Sequence, residues 1–221
     1  MKLPAYVLDF EARIERAVRQ LAASLPPGAR VLDAGAGEMR HRAAFPAQRY
    51  LGIDLAIGDP GWDYSRLDSI ADLTSLPLRD DVFDAVLNIV TLEHVRHPRQ
   101  VICELARVLR PGGQLLLAVP LEWEVHQAPH DYFRYTRHGV EWLLREAGLE
   151  LERLEPAGGI FRLLSRRMLS AIKTHWIAVV LAPVALLLPL IDFLDRRRDS
   201  TLGYVAWARK PRRCPTLVRS S

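Results

Sequence analysis

The chain has 221 residues and a mass of 25.0 kDa, with 49% hydrophobic and 25% charged residues; this composition excludes a largely disordered chain, a collagen-like chain and a coiled coil. Its two cysteines, Cys103 and Cys214, are too few for a disulfide framework and lack metal-ligand spacing, so no metal is expected and a reducing compartment is. The net charge of +4 conceals an asymmetry: residues 1–160 hold 18 Lys+Arg against 23 Asp+Glu, and residues 161–221 hold 12 against 3, so an acidic body carries one basic end suited to an anionic surface.

The first ten residues include Pro4 and Asp9 and are not expected to form a targeting signal. Over 9–25, Phe10, Ile14, Ala17, Val18, Leu21 and Leu25 recur at helical spacing, and Pro26-Pro27-Gly28 ends that helix. Short apolar runs then alternate with helix-length segments. Strands are expected at 30–34, 49–54, 69–72, 83–90, 114–119, 149–154 and 201–208. Helices are expected at 38–45, at 98–109 with Pro98 in its first turn, and at 136–147 ahead of Gly148. Near-continuous apolar strands alternating with helices predict a parallel α/β sheet, a doubly wound one, with ligands at the carboxyl ends of its strands.

The most informative segment is Val31-Leu32-Asp33-Ala34-Gly35-Ala36-Gly37-Glu38. A strand runs into a turn with two glycines and then toward a helix, whose first N–H groups are free. The third glycine of a dinucleotide fingerprint is replaced by Arg40. Asp33 would repel a pyrophosphate and attract a cation, such as an ammonium or a sulfonium. This D-x-G-x-G pattern resembles class I S-adenosylmethionine-dependent methyltransferases, most nearly the small-molecule branch related to quinone-biosynthesis enzymes. Further motifs stand in the expected order: Tyr50-Leu51-Gly52-Ile53-Asp54, Ala71-Asp72-Leu73, Asp84-Ala85-Val86-Leu87-Asn88 with Leu92-Glu93-His94-Val95, and Glu104 through Gly113.

The resemblance implies a seven-stranded, mostly parallel Rossmann-like sheet over about 28–155 and 201–210, with S-adenosylmethionine as cofactor. It assigns cofactor contacts to Asp33, Ala34, Gly35, Gly37, Asp54, Leu55, Asp72, Leu73 and Asn88, with Asp54 on the ribose hydroxyls and Asp72 on the adenine amine. Read alone, Asp33 is a helix cap, Asp54 and Asp72 are turn acids, and Glu104 with Arg107 is a surface pair or a clamp.

The acceptor is expected beyond strands four and five, near Glu93-His94 and the segment 122–137, EWEVHQAPHDYFRYTR. His130-Asp131-Tyr132-Phe133-Arg134-Tyr135 is similar to a stretch in bacterial methyltransferases of this branch. His130 is the expected base, because its pKa lies near neutrality, and Asp131 its orienter. Arg134 would hold an anionic group of the acceptor, Tyr132 and Tyr135 would shape the pocket, and His94 would line it. His126 belongs to no evident constellation, and His130-Asp131 also reads as a cap before the following helix.

Residues 176–194 form nineteen residues with one charge, Asp192, near the length of a membrane span. Pro183, Pro189, the basic residues on both flanks and the strand expected at 201–208 argue instead for a return to the same domain. The expected division is therefore an N-terminal helix (1–27), the methyltransferase domain (28–159), an apolar and basic helical insertion (160–198), the last strand (199–210) and a basic tail (211–221). Leu163, Leu164, Arg166 and Arg167 suit a membrane interface. The function expected is methyl transfer to an O or N atom of a small amphiphilic or lipid-linked acceptor, by a cytoplasmic protein held peripherally or re-entrantly at the inner face of the cell membrane. The alternatives are a soluble enzyme whose apolar segment is a lid or a dimer interface, and a non-catalytic S-adenosylmethionine-binding protein. Nucleic acid is not expected as partner, since the body is acidic and no base-gripping motif follows strand four; homo-oligomerisation is left open.

Overall fold

The computed structural model describes residues 9–174 and 180–212. Seven strands form one sheet: β1 (Arg30–Ala34), β2 (Arg49–Asp54), β3 (Ser69–Ile70), β4 (Phe83–Ile89), β5 (Leu109–Pro120), β6 (Glu150–Pro156) and β7 (Gly203–Arg209). Their order is β3-β2-β1-β4-β5-β7-β6. The first five run parallel, and β7 lies antiparallel between β5 and β6. The chain order reverses between β1 and β4, which is where such sheets bind ligands.

Helices cover both faces, because the central strands are apolar on both. Val86, Leu87, Leu115, Leu116 and Leu117 are fully buried. On one face α1 (Asp9–Ser24) presents Phe10, Ile14, Ala17, Val18 and Leu21 to Leu87, Leu116, Val205 and Trp207. On the other, α2 (Pro98–Val108) and α3 (Arg137–Glu146) bury Ile102, Leu105, Val140 and Leu144 against Val86, Leu115 and Leu117. Burying each such large side chain contributes about 1.5–3 kcal/mol. Glu104 and Arg107 act as a clamp. Arg107 pairs with Glu104 and Asp80 and donates to the carbonyls of Leu76 and Leu78, while Glu104 accepts from the Leu76 N–H.

Three expectations are corrected. The helix expected at 38–45 is only a 3₁₀ turn at Arg42–Ala44, because Gly37 (φ 49°) and Met39 (φ 62°) are left-handed and cannot start a right-handed helix. α2 ends at Val108, and β5 begins at once with Leu109, which pairs with Phe83 across an irregularity in the ladder. Third, two basic side chains of α4 (Ile160–Thr174), expected to be free, are paired within the chain. Leu163 packs in the core under α1, and Arg166 and Arg167 pair with Glu124 and Glu122 at 2.8 and 3.2 Å.

Between β6 and β7 lie α4, α5 (Ala182–Leu187) and a 3₁₀ segment, Leu188–Leu194. The lone charge of the apolar stretch explains its return. Asp192 is buried, accepts from the N–H groups of Gly159 and Arg162, and pairs with Arg162 and Arg198. Asp195 accepts from the Ile160 N–H at 2.8 Å. Both carboxylates thus serve the otherwise unpaired first N–H groups of α4. The ends of this whole segment are tied together: Ala157 and Leu202–Gly203 exchange backbone hydrogen bonds at 2.9 and 3.1 Å. Residues 175–179, within the apolar stretch, and 213–221 of the basic tail, with Cys214, lie outside the described residues. No helix among the described residues is long and apolar enough to cross a membrane.

Candidate active site

One cavity of about 540 Å³ opens at the carboxyl ends of β1, β2 and β4, a size typical of ligand pockets (~300–1,000 Å³). Gly35, Gly37, Asp54, Leu55, Asp72 and Leu73 line one end, and His94, His126, His130 and Trp123 the other; Phe10 and Ile14 of α1 close a side.

The glycine turn is required by sterics. Gly35 has φ 89°, and a Cβ there would collide with the Thr91 side chain. Its N–H donates to the Ile53 carbonyl at 2.8 Å. Asp54, at the tip of β2, accepts from the N–H groups of Gly37 (2.9 Å) and Ala56 (2.8 Å). Two backbone contacts leave roughly half of a carboxylate's four lone-pair sites for a ligand. Asp72 reaches the cavity wall while one oxygen accepts from the N–H and hydroxyl of Thr74, both at 2.8 Å, so its turn-forming role and a ligand role coexist.

Three residues expected at the cofactor lie behind the wall. Asp33 is 1% exposed and accepts from the Tyr50 hydroxyl. Ala34 is fully buried, and its carbonyl accepts from the Asn88 amide at 2.7 Å. Asn88, also fully buried, thereby fastens β4 to the end of β1 instead of facing the cavity. Burial pushes the Asp33 carboxyl up to about 7. A carboxyl raised in the fold keeps its proton where the unfolded chain has lost it, so its stabilising effect is complete below roughly pH 4 and is lost as pH rises through 7. Stability to urea is therefore expected to fall by on the order of 4 kcal/mol across that window. Glu93, which burial pushes up to about 8, acts in the same direction, so Asp33→Asn should lessen the slope without abolishing it, and an unchanged slope in that variant would refute the attribution.

The acceptor end is built differently from expectation. Asp131 does not orient His130. Its carboxylate receives both terminal nitrogens of Arg134 (2.6 and 2.8 Å) and the His126 N–H (2.9 Å), and Arg134 holds it well below the usual carboxylate range. Arg134 is itself fully engaged, donating also to the carbonyls of Trp123, Glu124 and Phe133, so it braces the 123–135 loop and does not reach an acceptor. Tyr135 is buried and donates to the Leu92 carbonyl. Neither it nor Tyr132 lines the cavity. Tyr132 instead meets the His130 ring, with its hydroxyl 3.1 Å from Nδ1.

His130 and His94 do line the cavity, joined by His126, which the sequence left aside. The His94 and His126 rings stand edge to face at 4.7 Å. Beneath them Glu93 is fully buried, and burial pushes its carboxyl up to about 8. Burial also lowers the pKa of His94. No sequence signal links His126 to His94, because the thirty-one residues between them fold through α2 and β5 before they meet.

The comparisons agree with this geometry. A family model described as "Methyltransferase domain" matches residues 32–117. The malonyl-[acyl-carrier protein] O-methyltransferase of Methylococcus capsulatus is 33% identical over 152 residues, 59% of this chain and 55% of that protein. The demethylmenaquinone methyltransferase of Renibacterium salmoninarum is 37% identical over 98 residues, 42% of this chain and 41% of that protein. A tRNA (carboxymethyluridine(34)-5-O)-methyltransferase of Arabidopsis thaliana is 32% identical over 113 residues, 47% and 26% of the two chains. Among solved structures, the [4+2]-cyclase SpnF superposes with a TM-score of 0.60 at 25% identity, over 90% of this chain and 80% of its own.

Residues 32–117 thus carry a methyltransferase domain of the class I S-adenosylmethionine-dependent type. The chain spans about half the length of the curated relatives it matches, or less.

Proposed function

We propose that this chain moves the methyl group of S-adenosylmethionine to an oxygen or nitrogen of a small amphiphilic acceptor at the cytoplasmic face of a membrane. One observation carries the reading: a single cavity joins the glycine turn and the tips of β1 and β2 to a cluster of three histidines. The cofactor would lie along Gly35–Gly37, with Asp54 on its ribose hydroxyls and Asp72 and Leu73 at its adenine. The sulfonium is already activated, so holding donor and acceptor in line supplies much of the rate. Bound there, S-adenosylmethionine would supply an activated methyl group, and His130, its ring steadied by Tyr132, would take up the acceptor's proton.

The outer surface of α5 and the following turn supports the membrane part. Leu187 is 61% exposed, Leu190 62% and Phe193 71%, with Val180 and Leu194 beside them. Arg196 and Arg197, also exposed, adjoin this ridge. An apolar ridge next to cations fits an anionic lipid surface, where each nearby Arg contributes roughly 1 kcal/mol.

The test is incubation of the full chain with radiolabelled S-adenosylmethionine and, separately, membrane extract, soluble extract and tRNA. Label is expected in the lipid phase, with the protein sedimenting with the membranes at low salt. His130→Ala should keep cofactor affinity and lower turnover at least tenfold. Label confined to the aqueous phase would overturn the amphiphilic acceptor. Label in tRNA would favour the activity named for several relatives, and none anywhere would defeat methyl transfer.

A further inference from the structure

Glu93 poses a problem that the methyl-transfer reading leaves unsolved. It follows β4 in a 3₁₀ turn, Leu92–His94, and its side chain is 0% exposed. Neither carboxylate oxygen accepts a hydrogen bond from another residue among the described residues. The His94 Nε2 is likewise buried without a hydrogen-bond partner, and it faces Glu93 Oε1 at 3.8 Å, too far for a direct bond. Buried polar atoms left unpaired cost about 1–3 kcal/mol each, more when charged. A pair of them facing one another implies that something sits between.

The histidine tautomers show what. His94 Nδ1 lies 2.7 Å from the His130 carbonyl. A carbonyl only accepts, so Nδ1 carries the hydrogen and Nε2 presents a lone pair. His126 repeats the arrangement: its Nδ1 is 3.0 Å from the Glu124 carbonyl and 3.5 Å from Asp131 Oδ2, which leaves its Nε2 as the lone-pair nitrogen. Holding one ring nitrogen on a carbonyl or a carboxylate while the other is free is how proteins orient metal-binding histidines. One ligand atom from each of Glu93, His94 and His126 lies within 4.8 Å of the others. Bonds of ~2.0–2.2 Å to one ion set ligand atoms roughly 3–3.5 Å apart, so small side-chain rotations close the site.

We propose that Glu93, His94 and His126 form a binding site for a divalent transition-metal ion of the zinc type at the acceptor end of the cavity. Two imidazoles and one carboxylate suit Zn²⁺ and its first-row neighbours, whereas Mg²⁺ and Ca²⁺ favour all-oxygen sets. Three protein ligands are the number that leaves a coordination position open for another molecule. His94 and His126 both line the cavity, so that position is available to a water or to an acceptor oxygen. The site rests on these three side chains and their neighbours, not on the identity of the reaction.

The test uses the full chain, stripped with a chelator and titrated with Co²⁺. One equivalent is expected to bind and to give visible d–d absorption, and Zn²⁺ should displace it and erase the bands. Glu93→Gln and His126→Ala should each lower Co²⁺ affinity at least 100-fold, with the urea midpoint followed in parallel. His126→Ala should leave S-adenosylmethionine affinity unchanged, which separates failure of this site from failure of the methyl-transfer reading. Absence of stoichiometric Co²⁺ uptake by the unaltered chain, or equal uptake by both variants, would overturn the site and leave Glu93 and His94 as a pair bridged by a water.

Discussion

Replacing Asp54 by alanine is expected to weaken S-adenosylmethionine binding at least 100-fold, measured by calorimetry on the full chain. Asp54 stands at the tip of β2 on the cavity wall. It holds the Gly37 and Ala56 N–H groups, so it fixes the loops after both β1 and β2 before any ligand arrives. Its remaining lone pairs are those we assign to the ribose hydroxyls. A hydrogen bond to a charged group contributes about 1.5–3 kcal/mol, and each ~1.4 kcal/mol is tenfold in affinity. Losing two such bonds and the order of two loops therefore exceeds two decades. Asp54→Asn keeps one acceptor oxygen and should fall between. Unchanged affinity in Asp54→Ala would remove the ribose assignment.

The second large effect is expected at Arg134, a residue that touches neither proposed ligand. Arg134→Ala should lower stability by about 3 kcal/mol in urea unfolding and reduce methyl transfer far beyond the loss expected from His130→Ala. The Asp131 side chain is 3% exposed, and its carboxylate would be left without its cation. Breaking such a pair costs roughly 3–5 kcal/mol, with the lower figure apt here because the Arg134 side chain is 24% exposed. The carbonyls of Trp123 and Phe133, in the loop carrying His126 and His130, would lose their Arg134 donor as well, and that of Glu124 would keep only His126. Arg134→Lys should restore little, because an ammonium cannot reproduce a planar fork shared among a carboxylate and several carbonyls. Rescue by lysine would show that charge alone suffices.

What was legible in the sequence is local. The apolar runs mark β1, β2, β4 and β5 because a strand buried on both faces has few residue types open to it. Gly35 and Asp54 are legible because a turn and a strand tip demand particular residue types. The departures arise where partners come from afar or where one residue overrides its neighbours. The left-handed Met39 dissolves a helix that composition favours. Asp131 and Arg134 look like active-site charges in one dimension, yet they satisfy each other three residues apart. His126 has no neighbour in the sequence to betray it, and its significance appears only when β5 carries it back beside His94. Arg166 and Arg167 read as lipid-facing because Glu122 and Glu124, their partners, lie more than forty residues away.

The knot of backbone bonds between Ala157 and Leu202–Gly203 has a consequence for how such a protein can diversify. It pins the two ends of everything from α4 through the 3₁₀ turn at one corner of the sheet, while β6 and β7 remain zipped outside it. Apart from Leu163, Arg166, Arg167, Asp192 and Asp195, which tie it to the body, the segment 160–198 can therefore be repainted without shifting the register of any strand. Selection for a new surface or a new neighbour can act there while the nucleoside-holding half stays as it is.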